Sequence, residues 1–133
     1  MTTAHPPPED LAQRYSEVLL ARAAPLFEQA ALIAQDSGLH PEVYTSGSPP
    51  ELCLQVRSSE QGYASYYLIK LDSGTRQVHH HLYFAINGTT RRLLGGLDSI
   101  NSMVLDTHLA QLFREGFSVT LAPLEQRHPA GFW

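Results

Sequence analysis

Cysteine is almost absent: Cys53 is the single thiol in 133 residues. It excludes an intrachain disulfide and a cysteine-rich zinc site. Charge is also sparse, at 17% of residues, with a formal net charge of −4. An acidic balance disfavours non-specific DNA binding. No apolar run is long enough to span a bilayer, and no basic-then-apolar leader opens the sequence. The expectation is a soluble, cytoplasmic protein with no membrane partner. A nucleophile elbow, a glycine-rich phosphate loop and a zinc-protease helix are missing too. Gly95-Gly96 ahead of a helical stretch is a weak anion signal at most. Seven His and thirteen acids allow many chance acid–base combinations, none of them inside a motif. The sequence therefore predicts no catalytic activity and no cofactor. A small enzyme whose site is not legible from sequence is kept as an alternative.

What is present fits one globular domain. The hydrophobic fraction is 43%, and a chain of this length buries roughly two-thirds of its unfolded surface. Residues 1–8, with Pro6-Pro7-Pro8, read as a disordered arm, 9–122 as a single domain and 123–133 as an irregular tail. From 11 to 35 the pattern is helical, with Leu11, Tyr15, Leu19, Ala23, Leu26, Ala30 and Ile33 at spacings of three and four. Pro25 interrupts the stripe, so the segment is one kinked helix or two. Unbroken phase across Pro25 favours the continuous form, and Ser37-Gly38 supplies the stop.

Residues 43–45 form a weak strand, and 46–50 a Gly/Pro turn. In 51–57, Leu52, Leu54 and Val56 alternate with Glu51, Cys53, Gln55 and Arg57. Asn87-Gly88 signals a further hairpin, returning over 89–94. A second helix is expected from 100 to 115, capped by Asp98 or Ser99 and stopped at Gly116. Phe117, Val119 and Leu121 alternate as a last strand. The order predicts an α+β two-layer sandwich. It has an antiparallel meander of about five to six strands, a long N-terminal helix and a second helix near the C-terminus.

The most strongly patterned stretch is 63–86, two strands around Asp72-Ser73-Gly74-Thr75. A two-residue loop at Ser73-Gly74 pairs Ile69 with Val78, Tyr67 with His80, Ser65 with Leu82 and Tyr63 with Phe84. A loop longer by two residues leaves both faces unchanged. Leu71 and Ile86 extend this core side, and a hydrogen bond to Tyr67 or the backbone accounts for His80 there. The opposite face gathers Tyr66, Lys70, His79, His81 and Tyr83.

Between Arg57 and Arg92 five basic residues meet two acidic ones, a local +3 that leaves −7 for the rest. Aromatic area beside Arg57, Lys70 and Arg92 suits a binding surface better than a catalytic one. The predicted function is a non-catalytic protein-binding domain of adaptor, chaperone or immunity-like type, assembled as a homodimer. Its binding residues are Arg57, Tyr66, Lys70, His79, His81, Tyr83 and Arg92. Single-stranded nucleic acid stacked on the same face is the alternative. His79 and His81 share a face and are weak metal candidates, with no third ligand patterned nearby and the approach of Glu51 depending on strand order.

Overall fold

The structure, a computed structural model, describes residues 8–72 and 74–122. The tail expected over 123–133 lies outside them, as does the N-terminal arm except for Pro8, which opens the first helix. A long N-terminal helical segment comprises α1 (Pro8–Val18), a π-helical turn (Leu19–Ala23) and α2 (Ala24–Asp36). Five strands come next: β1 (His40–Ser46), β2 (Glu51–Arg57), β3 (Ser65–Asp72), β4 (Gln77–Phe84) and β5 (Thr89–Gly95). A 3₁₀ turn at Leu97–Ser99 leads into α3 (Ser102–Phe117). The sheet order is β1-β2-β3-β4-β5, antiparallel throughout, so the α+β sandwich with a meander is the observed architecture.

The N-terminal segment is continuous, but its stripe does not hold phase. Proline has no N–H and its ring crowds the carbonyl one turn back. The chain answers with a wide turn just before it: Ala24 N–H donates to Leu19 O, five residues back. That extra residue rotates α2 relative to α1. Tyr15, Leu19 and Ala23 are fully buried as expected, but beyond Pro25 the buried residues are Phe27, Ala30 and Ala34. Leu26 and Ile33 are only partly buried, at the margin of the core.

α3 also begins later than expected. Its cap is Asn101, whose side chain accepts from Val104 N–H at 2.9 Å, rather than Asp98 or Ser99. Ile100 and Leu105, the positions of a hydrophobic staple, are both fully buried. Gly116 is not the stop. It is buried inside the helix, and a Cβ there would reach within 3.7 Å of Phe84 and 3.8 Å of Ser65. Ser118, at φ 57°, takes the left-handed cap instead. The last strand expected over 117–121 does not form: Phe117 ends α3 and 118–121 has no regular structure, though Leu121 is buried. An alternating pattern needs a strand neighbour as well as an apolar face, and 118–121 pairs with none of the five strands.

The central hairpin pairs Leu71 with Val78, Ile69 with His80, Tyr67 with Leu82 and Tyr66 with Tyr83. This is two residues away from the tight-loop register. The loop is longer because Asp72 caps it, accepting from Gly74 N–H at 3.0 Å, while Arg76 turns at φ 59°. An even shift preserves both faces. Tyr67, Ile69, Val78, His80, Leu82 and Phe84 are buried with Leu52, Leu54 and Val56 beneath the helices. The strands stop at Ser65 and Phe84, so Tyr63 and Ile86 do not extend the core and are 90% and 71% exposed.

Candidate functional site

Two polar constellations flank the sheet, one on each face, and adjacent residues of β4 build both. Alternation sends His80 under the helices and leaves His79 and His81 on the side that no helix covers among the described residues, the uncovered side.

On the covered side His80 is 1% exposed. Its Nδ1 lies 2.7 Å from Tyr67 Oη, and its Nε2 lies 2.8 Å from Ser99 Oγ. Ser99 Oγ also donates to Gly96 O at 2.6 Å. Having used its one proton there, the hydroxyl accepts from His80 Nε2–H. This fixes the tautomer: Nδ1 is the acceptor and Tyr67 O–H donates to it. His108 completes the group, with Nδ1 3.3 Å from Tyr67 Oη and its ring stacked on His80 at 5.5 Å. Gly95 makes room for Ser99, since a Cβ there would come within 2.7 Å of the Ser99 Cβ.

A serine against a histidine is the skeleton of a nucleophile–base pair. The electrostatics oppose that use. Burial, reinforced by His108 and His79, pushes His80 down to about 3, far below what a base working near neutrality needs. Burial also lowers His108, although a hydrogen bond to the Val104 carbonyl works against it. Tyr67 is pushed well up by burial and stays a protonated donor. Chemically, the group is a satisfied polar tie between β3, β4, the Gly95–Ser99 turn and α3. Ser99 and His108 lie 19 and 28 positions from His80, and no local pattern marks them as its partners.

On the uncovered side the register lays side chains in levels. One level runs Tyr44, Cys53, Leu68, His81, Arg92, and the next Glu42, Gln55, Tyr66, Tyr83, Thr90. A third carries Lys70, His79 and Leu94, with Glu51 one step beyond the Leu52–Ile69 pair. Tyr66 and Tyr83 stack at 5.4 Å, and His81 meets the Tyr66 ring edge-on at 5.7 Å. Six of the seven sequence-predicted residues thus gather on β3, β4 and β5, and Arg57 sits at the far end of β2 opposite His40. The sequence reading missed Tyr44 and Glu42, because only the sheet order brings β1 alongside, while Glu51, whose approach hung on strand order, comes beside Lys70 through the β2–β3 pairing.

The electrostatics of this face are more balanced than the linear +3 suggests. Arg57, Lys70 and Arg92 share it with Glu42, Glu51 and Asp72. Burial is the first cause lowering His81, followed by Arg92 and Lys70. Its imidazole is therefore neutral near pH 7. His79 Nε2 is 3.9 Å from Asp72 Oδ2, too long for a hydrogen bond. The Nε2 atoms of His79 and His81 are both shielded from solvent without a hydrogen-bond partner. Among the described residues no three His, Cys, Asp or Glu side chains come together to hold a metal. Cys53 is 3% exposed. Burial raises its thiol despite a hydrogen bond with Tyr44, so it is no activated nucleophile.

Among the described residues no helix is long and apolar enough to cross a membrane. No protein-family model, curated protein or solved structure matches this chain.

Proposed function

We propose that the chain is a non-catalytic, cytoplasmic protein-binding domain, of adaptor, chaperone or immunity-like type, that works through its uncovered sheet face. One observation carries the reading. His79 and His81 hold imidazole nitrogens that are shielded from water and unpaired, beside a stacked tyrosine pair. A shielded polar atom without a hydrogen bond is unfavourable by about 1–3 kcal/mol, so these imidazoles gain by turning outward to a donor or acceptor that a second molecule supplies. Tyr66 and Tyr83 lie on the inner strands of this face with Arg92 at its edge, and tyrosine and arginine are side chains that dominate protein interfaces. Base stacking is less well served, because Tyr66 and Tyr83 already turn their rings toward each other.

The test is retention from native extract on the immobilised full chain, with and without nuclease, against a Tyr66→Ala/Tyr83→Ala variant. Nuclease-resistant protein retention, a second copy of this chain included, that the variant loses is expected. Retention that disappears with nuclease overturns the reading in favour of nucleic acid. Identical retention by both chains removes the face from consideration.

A further inference from the structure

We infer that the occupant of the uncovered sheet face is a second copy of this chain, packed face to face about a two-fold axis that runs parallel to the strands. The inference rests on the face being a protein-binding surface and names its partner. Its ground is the order of charges across the sheet. Glu42 and Glu51 stand with Arg57 on the β1–β2 side, a net −1, Lys70 and Asp72 offset each other on β3, and Arg92 stands on the β5 side; neither glutamate nor either arginine is in an ion pair among the described residues. Such a face is poorly matched to a uniformly acidic or basic partner. It is matched to its own image, provided the image is reversed from left to right.

A two-fold along the strands performs that reversal. It lays β1 over β5 of the second copy and β2 over β4, with β3 facing its own equivalent. Each level then meets itself in the opposite order. Tyr44 comes over Arg92, the pair for a cation–π contact. Glu51 comes over His79, bringing a second carboxylate to an imidazole whose Nε2 has no hydrogen bond and lies 3.9 Å from Asp72 Oδ2. Leu68 and Tyr66 meet their own equivalents on the axis. The other in-plane axis, across the strands, stacks β1 on β1 and β5 on β5. It lays β4 on β4, and Gln77, His79, His81 and Tyr83 bring no carboxylate to either imidazole. The chosen axis brings Lys70 near its equivalent, but that ammonium is exposed at the end of the sheet. It can turn outward to water along its aliphatic stem.

Strand spacing and rise give the face a footprint of roughly 20 by 20 Å before side-chain relief. For two copies that is roughly 800 Å² in all, below the range of standard stable interfaces, so the association is weak and is expected at tens of micromolar and above.

Sedimentation velocity of the full chain from about 1 to 200 μM is the test, since it brackets that affinity. A concentration-dependent dimer is expected. Leu68→Arg, on the axis, should weaken it about tenfold or more. Glu51→Lys, which faces His79 across the interface, should weaken it in the same direction. Far-UV circular dichroism checks both folds, and should Leu68→Arg misfold, Glu51→Lys decides. Leu93→Arg, on the opposite face of β5, should leave the dimer unchanged. A wild-type monomer throughout, or a dimer indifferent to both face variants, overturns the inference. Either result leaves open whether the face binds another protein, which the tyrosine variant answers separately.

Discussion

The two faces of one sheet use the same residue type to opposite ends. His80 and His81 are neighbours in β4, chemically identical and one residue apart. His80 has both ring nitrogens bonded, sits under two helices and ties four pieces of the fold together. His81 has a shielded, unpaired Nε2 and touches its surroundings through a ring edge. The difference comes from what lies above each face, not from the strand. A face covered by its own chain selects side chains that satisfy each other. A face left uncovered can retain hydrogen-bonding groups that the chain itself does not satisfy.

The strongest way to break this comparison is to remove packing from the covered face. Phe84 is 2% exposed, backed by Gly116 and overlaid by the Arg91 guanidinium at 5.5 Å. Arg91 is itself held by paired bonds to Glu115 at 2.7 and 2.5 Å. Phe84→Ala should lower stability by roughly 3–5 kcal/mol in urea melts at fixed protein concentration. A loss below about 1 kcal/mol would mean that this face is not the core.

A second experiment uses pH. In the native state His80 is neutral with a pKa near 3, whereas unfolded histidine titrates near 6.5. Between those values the unfolded chain binds more protons, so stability rises with pH. The His80 contribution is therefore fully present above about 6.5 and declines as pH falls toward 3. The slope per bound proton is about 1.4 kcal/mol per pH unit. His108 and His81, also lowered, act in the same direction. Urea melts from pH 7 to pH 4 should show this decline. His80→Gln should reduce its slope by close to one proton, and an unchanged slope would show that His80 is not buried neutral.

Much of this division was legible in the sequence, for a physical reason. Side chains alternate with period two, so an error of two residues in the 72–77 loop displaced every cross-strand pair and moved no residue to the wrong face. The pairing of His80 with Tyr67 survived in the same way, as a hydrogen bond even though the two are no longer directly opposite. A helix is less forgiving. One extra residue in the turn before Pro25 moved burial from Leu26 and Ile33 to Phe27 and Ala34, because helical phase accumulates. The alternation at 117–121 misled since it reports an apolar side, not a hydrogen-bonded neighbour. Ser99, His108 and Glu42 were illegible as site residues because tertiary packing and sheet order alone bring them in, and Glu51 was visible only as a residue whose approach hung on strand order.

The smallest expected effect is the sharpest probe of the comparison, because it sets His81 against the residue beside it. His81→Ala removes an edge contact with Tyr66 but breaks no hydrogen bond, since Nε2 has none to lose. It also deletes a shielded polar atom that is unfavourable while unpaired. These opposed terms should leave stability within about 0.5 kcal/mol of wild type at pH 7. The measurement belongs in dilute solution, where self-association contributes least. His80→Ala, which breaks bonds to both Tyr67 and Ser99 and leaves a buried void, should be much more damaging under the same conditions. If the two variants unfold at the same urea concentration, the faces do not differ as the geometry requires. If His81→Ala is the worse of the two even in dilute solution, its ring is packed in the single chain, and the uncovered face loses its claim as a binding surface.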